Sequence, residues 1–180
     1  MDITLPKRKS IRLKDYDYTQ NGYYFITICT HHRQCLFGQI VGATLRGRPN
    51  HPDKMVAKWL FKLEDKFPDV KIDDYIIMPN HVHFIIKKIN DHISDTGGQI
   101  QKTGDHMGSP LRDIVGWFKT TTTNEYINGV KNNKYPPFHK KLWQRNYYEH
   151  IIRNEQDYIQ ITEYIQNNPL TWEKDDEYHI

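Results

Sequence analysis

Residues 72 to 88, IDDYIIMPNHVHFIIKK, leave the chain few folding choices. Two runs rich in Val, Ile, Phe and Tyr flank a polar break, and such runs favour strands over helices. Met78-Pro79-Asn80 suits a tight connection, because Pro fixes φ and removes a ladder donor while Asn tolerates turn geometry. The segment therefore predicts a β-hairpin. On its second strand, alternation puts His81, His83, Ile85 and Lys87 on one face and Val82, Phe84 and Ile86 on the other.

That pattern places two imidazoles side by side in front of an apolar face. Neutral imidazole is a common ligand for divalent metals, and two at i, i+2 on a rigid strand can converge on one ion without backbone strain. Two ligands do not make a site. With ten His in 180 residues, roughly half of one His-x-His is expected by chance, so a pair of half-exposed strand histidines stands beside the metal reading.

At 180 residues the chain is long enough for one well-buried core and short for two, so a single domain over 1–180 is expected. A mean hydropathy of −0.80 and the lack of a long apolar run argue against a membrane span. The start, MDITLPKRKSIRLKDYDY, lacks the apolar region of a signal peptide, so a cytoplasmic protein is expected. Cys29 and Cys35 form neither a CxxC nor a disulfide framework and read as reduced packing residues.

The net charge of +3 is too small to argue for a nucleic-acid partner, but its distribution is informative. Lys7, Arg8, Lys9, Arg12 and Lys14 form a basic arm within residues 1–20, and residues 170–180 form an acidic tail. Arg46 and Arg48 in a Gly-rich loop, with Arg145 and Arg153 beside a late strand, add cations. Twelve Tyr and four Trp offer faces on which unpaired bases stack, although most belong to the core.

Taken in order, YYFITICT after Gly22 reads as a buried first strand ending at His31-His32-Arg33, and residues 38 to 51 as loop. A helix opens at Pro52-Asp53, with Val56, Trp59, Leu60, Leu63 and Phe67 as its apolar stripe, and ends at Pro68. After the hairpin, residues 90 to 108 lack apolar periodicity and read as a mobile surface loop. Ser109 as N-cap and Pro110 at the first position begin a second helix, weakened towards Thr120–Thr123, with loop from 128 to 140. LWQRNYYEHII from Leu142 reads as a fourth strand. Asn154 caps a last helix, stopped by Pro169, whose core stripe is Tyr158, Ile161 and Ile165. Tyr164 and Asn168, four apart, share a face of it.

Strand, helix, hairpin, helix, strand is the ferredoxin-like βαββαβ arrangement, an α+β antiparallel sheet, here with an appended C-terminal helix. In that topology the first and third strands are central, so the His-x-His strand occupies the rigid middle of the sheet, where the appended helix can lie across it.

MPNHVH at Met78–His83, WQRNYYEHIIRNEQDY at Trp143–Tyr158 and EYIQNNP at Glu163–Pro169 together resemble the HUH-type single-tyrosine transposases, and within them the REP-associated tyrosine transposases. The opening RKSIRLKDYDYTQNGYYFITICTHHRQCLFG is similar to the openings of those proteins, so the likeness covers most of the chain. The resemblance implies that His81 and His83 hold a divalent cation, Mg or Mn, that Asn168 completes the metal site, and that Tyr164 is the nucleophile. It implies single-stranded or hairpin DNA as partner. A phenol is mostly protonated at pH 7, so it needs a metal that polarises the scissile phosphate. A covalent phosphotyrosine would conserve the phosphodiester energy for rejoining. His150 reads as a hydrogen-bonded structural residue.

Three functions therefore stand: a transposase that nicks and rejoins single strands, a domesticated protein that only grips hairpin DNA, and a metal-dependent hydrolase using His81, His83 and water. A reactive Tyr beside the metal separates the first from the others. The target sequence and the oligomeric state, with a homodimer among the open arrangements, are not legible in the sequence.

Overall fold

The computed structural model describes residues 17, 18, 20–41, 44–46, 51–89 and 108–172, with the side chains of 39–41, 44–46 and 171 excepted. The basic arm, the loop from 90 and the acidic residues from 173 fall outside that set.

Strand β1 (Gly22–Cys29) is followed by a 3-10 turn at His31–Arg33. Then come β2 (Gln39–Val41), β3 (Thr44–Arg46), helix α1 (Pro52–Lys66), β4 (Val70–Ile77) and β5 (His81–Lys88). Helix α2 (Leu111–Lys131), β6 (Tyr148–Ile152) and α3 (Glu155–Thr171) complete the chain. The main sheet runs β4-β5-β1-β6, every neighbouring pair antiparallel. This is the ferredoxin-like order with the His-x-His strand and β1 in the centre, as the sequence predicts. No helix among the described residues is long and apolar enough to cross a membrane.

The period-2 alternation of β1 and β5 divides the molecule into two layers. Tyr24, Ile26 and Ile28 join Val82, Phe84 and Ile86 in the main core under α1 and α2. Phe25, Ile85 and Ile152 face the other way and meet Ile165 of α3 in a much smaller cluster. α1 and α2 are thus fixed by a continuous apolar core, whereas α3 rests on a few apolar contacts supplemented by polar ones. Truncating a side chain such as Phe84 would cost about 3–5 kcal/mol.

Several local expectations are corrected. The segment 38–51 is not all loop, since β2 and β3 pair within it. Ser109 is not an N-cap: its hydroxyl and its N–H donate to Asp69 at 3.0 and 2.8 Å, and Pro110 occupies the cap position with no side-chain bond. The threonine run does not interrupt α2; the hydroxyls of Thr120 to Thr123 donate back to carbonyls four residues earlier, a pattern that slightly weakens and bends a helix without ending it. The helix continues to Lys131 and takes the first residues of the predicted 128–140 loop.

The strand predicted from Leu142 is interrupted. Trp143 forms a single bridge with Thr30, and regular pairing to β1 resumes at Tyr148. Pro169 does not stop α3, which runs on to Thr171 and takes up Leu170 and Thr171 from the predicted tail. A proline there forfeits one i−4 bond close to the helix end. Trp172, just beyond, lies against His81 with ring centroids 5.5 Å apart.

Lys88 is the least expected core residue. Its side chain is fully enclosed. Its ammonium donates to the carbonyls of Ser109 at 2.6 Å and Tyr18 at 3.1 Å and stands 3.6 Å from Asp69. Burial lowers its pKa against the opposing pull of Asp69.

Candidate active site

The register of the two central strands builds the floor of the site. Cys29 stands opposite His81, Thr27 opposite His83 and Phe25 opposite Ile85, so all six side chains share the face that α3 covers. Both histidines are buried, at 0% and 2% exposure, which excludes a pair of half-exposed strand residues. Their rings lie 4.4 Å apart at 63°.

Each imidazole is oriented through Nδ1. His81 Nδ1 lies 2.8 Å from Asn80 Oδ1. A carboxamide oxygen only accepts, so that nitrogen carries the proton and Nε2 carries the lone pair. This tautomer is assigned from the hydrogen-bond network. His83 Nδ1 lies 2.8 Å from Thr27 Oγ1, and its ring stacks on Phe25 at 5.3 Å and 25°. Fixing the distal nitrogen of an imidazole through its other nitrogen is how metal-binding histidines are held.

His81 Nε2 is buried and has no hydrogen-bond partner among the described residues. A buried lone pair left in this way is costly unless something else occupies it. Burial, then His83, then Arg33 hold the His81 imidazole well below its ordinary pKa, so it stays neutral and competent to donate to a cation. No group of three His, Cys, Asp or Glu among the described residues could hold a metal, so a third donor from among them would be of another type.

α3 supplies such a donor. Tyr164, Asn168 and Trp172 recur at i, i+4 and i+8 and form one stripe of the helix. The Tyr164 hydroxyl is 3.3 Å from His83 Nε2, and the Trp172 ring covers His81. Asn168 lies between these two anchor points and is fully buried, its carboxamide oxygen included. Two imidazoles, a carboxamide oxygen on the same helix stripe and a vacant buried lone pair fit a divalent cation. Tyr164 itself is 43% exposed, although its hydroxyl turns inward to His83.

Polar contacts aim the helix. β4 carries one extra residue between Ile72 and Tyr75; a bulge re-aims side chains. Asp73 accepts from the Tyr158 hydroxyl at 2.5 Å, and Asp74 from Gln166 at 3.4 Å. At the other end, Asn154 caps the helix by accepting from Asp157 N, and Asp157 lies 2.9 Å from His150 Nε2. His150 is thus hydrogen-bonded to the first turn of α3.

The predicted DNA-binding residues are only partly brought to the site. Lys7, Arg8, Lys9, Arg12, Lys14 and Arg48 lie outside the described residues, and Arg46 is described only as backbone of β3. Arg145 and Arg153 are exposed, Arg153 at the start of α3 with its N–H on Asp157. Sequence reasoning missed Thr27, Asn80, Trp172 and Arg33. His32 and Arg33 take φ of 55° and 53°, a conformation costly for non-glycine residues, and nothing in the residue types of the His31-His32-Arg33 triplet announces it.

No family model matches the chain. It is 40% identical over 178 residues to an uncharacterized protein of Haemophilus influenzae, a match covering 95% of this chain and 93% of that one. Among solved structures, a REP-associated tyrosine transposase bound to a REP hairpin aligns with a TM-score of 0.56 at 19% identity, over 89% of this chain and 74% of that chain. At that identity the likeness is one of fold.

Proposed function

This chain belongs to the family of that Haemophilus influenzae protein, and we propose that it is a metal-dependent tyrosine transposase that nicks and rejoins single-stranded or hairpin DNA. The observation that carries the reading is the Tyr164 hydroxyl 3.3 Å from His83 Nε2, beside the buried Nε2 of His81. Likeness of fold to a tyrosine transposase bound to a DNA hairpin supports it.

In this reading His81 and His83 donate through Nε2, and Asn168 through its carboxamide oxygen. A bound divalent cation would withdraw charge from the scissile phosphate as a Lewis acid. Mixed imidazole and carbonyl donors suit Mn better than Mg, which prefers oxygen. The Tyr164 oxygen forms a bond to phosphorus while the bond to the leaving strand oxygen breaks. The phenolic proton passes to solvent, and the departing oxygen takes one up. Phe25, Ile165 and the Asp73 and Asp74 anchors hold the helix that positions the phenol. Rejoining is the reverse displacement by a strand hydroxyl on the phosphotyrosine, which needs no nucleotide cofactor.

The test is incubation of the full chain with end-labelled single-stranded hairpin DNA and Mn or Mg, followed by denaturing electrophoresis. A labelled protein adduct that disappears with chelator is expected. Cleavage with no adduct would favour a hydrolase, and binding with no cleavage a protein that only grips hairpins.

A further inference from the structure

A second feature shares only Arg145 with the residues assigned above. Helix α2 and the segment 138–145 enclose a groove of about 460 Å³, within the roughly 300–1,000 Å³ common for ligand sites. Lys119, Lys140, Lys141 and Arg145 line it, with Ile127 and Phe138 among the apolar residues and no carboxylate on its walls.

The cations divide into two kinds. Lys119 is a clamp, its ammonium donating to the carbonyls of Gln144 at 2.5 Å and Arg145 at 3.1 Å. Burial pulls its pKa down to about 8. Lys140, Lys141 and Arg145 are exposed, and none is ion-paired among the described residues. Lys140 adopts a φ of 62° in the turn that presents them. Nearby, the His31 N–H donates to Leu142 O. Burial, then His32, Lys141, His139 and Lys140, lower the His31 pKa, as expected where positive charge converges without anions.

The groove wall is also hydrogen-bonded to the catalytic end of the sheet. Gln144 N donates to Cys29 O at 2.9 Å, and Cys29 is the strand partner of His81. The groove lies on the α2 side of the sheet and the histidines on the α3 side, so a strand held along Lys140, Lys141 and Arg145 would reach Tyr164 by passing round the edge of the sheet.

We infer that this groove binds the phosphate backbone of a single DNA strand leading to the Tyr164 site. The inference rests on the DNA-processing reading above and deepens it by naming where the uncleaved part of the strand is held. Four cations lining one groove without a carboxylate fit a polyanion, and three of them, Lys140, Lys141 and Arg145, are exposed along one segment of chain. Exposed parts of Phe138 and Ile127 offer an apolar surface to a base.

The experiment titrates full-length protein with dye-labelled 15-nucleotide oligo-dT, by fluorescence anisotropy, at several salt concentrations. Lys140→Ala/Lys141→Ala/Arg145→Ala should weaken binding at least tenfold at moderate salt. It should also lower the slope of log K against log salt by about 2, at roughly 0.7 per lost phosphate contact. An unchanged affinity and slope would overturn the assignment, as would a clear preference for oligo-U over oligo-dT. A measurement on the unmutated protein guards against misfolding of the variant: oligo-dT should protect Lys140 and Lys141 from acetylation more than Lys62 and Lys66 on α1. Equal protection would overturn the inference. Failure of the catalytic reading looks different, since Tyr164→Phe should lose the adduct with unchanged oligo-dT affinity.

Discussion

The Tyr164 hydroxyl and His83 Nε2 meet at 3.3 Å across 81 residues of sequence. They belong to different layers: His83 is locked into the central strand by Thr27 and Phe25, and Tyr164 rides on a helix that the main core does not touch. The catalytic geometry therefore depends on how α3 is docked.

The first prediction concerns that docking. Asp73→Ala removes the acceptor of the Tyr158 hydroxyl and should loosen α3 without touching the core under α1 and α2. Hydrogen exchange should speed up over 155–171 and stay unchanged over 111–131, and adduct formation should slow. In a double-mutant cycle with Tyr158→Phe, a coupling of about 1 kcal/mol is expected. Zero coupling would mean that the contact does not anchor the helix.

The two histidines should respond differently to truncation. His83→Ala loses the Thr27 bond and the contacts with Phe25 and Tyr164, so metal-free protein should lose about 2 kcal/mol. His81→Ala should cost less, because it also removes a buried nitrogen that has no partner. Both variants should lose any thermal stabilisation given by Mn to the wild type. A full Mn-dependent shift in either would remove that imidazole from the metal site.

Lys88→Met leaves the carbonyls of Tyr18 and Ser109 and the Asp69 carboxylate without their buried cation. Removing one partner of a buried ion pair costs about 3–5 kcal/mol, less here because Asp69 keeps its bonds from Ser109. A loss of about 3 kcal/mol in urea denaturation is expected. A neutral effect would show that the ammonium is no better than a methyl group there.

Asp157 gives the pH dependence. The hydrogen bond from His150 is the main cause lowering its pKa, burial opposes it, and the Arg153 N–H assists. A carboxylate whose folded pKa lies below its unfolded value stabilises fully above the unfolded value and loses that contribution as pH falls through the folded one. Asp157→Asn should therefore cost about 0.5–1 kcal/mol at neutral pH. The gap from wild type should close below about pH 4. A gap independent of pH would locate the effect in packing instead.

The parts of this design that depend on local pattern were legible in the sequence. The 78–80 turn, the alternation of His81 and His83 against Val82, Phe84 and Ile86, and the Tyr164–Asn168 face all follow from periodicity. What periodicity does not carry is register between distant strands. The Thr27–His83 contact spans 56 residues, so Thr27 gave no sign of its role, and Asn80 read as turn chemistry alone. Leu142–Ile152 has the composition of one strand, yet only its last five residues pair with β1, and Trp143 bridges to Thr30 alone. Pro169 read as a stop because local rules omit Trp172, whose packing on His81 accompanies the further turn. Lys88 read as a strand-end charge because the carbonyls that hold it come from residues 18 and 109.

The central claim is that the Tyr164 oxygen becomes bonded to DNA. The most direct measurement is mass-spectrometric mapping of the adduct formed by the unmutated chain on single-stranded hairpin DNA with Mn, alongside Tyr164→Phe and Tyr158→Phe. The account predicts a nucleotide attached at Tyr164, no adduct from Tyr164→Phe, and an adduct that persists in Tyr158→Phe, where the phenol serves docking. A full-strength adduct from Tyr164→Phe, or a nucleotide mapped to Tyr147 or Tyr148, would contradict it.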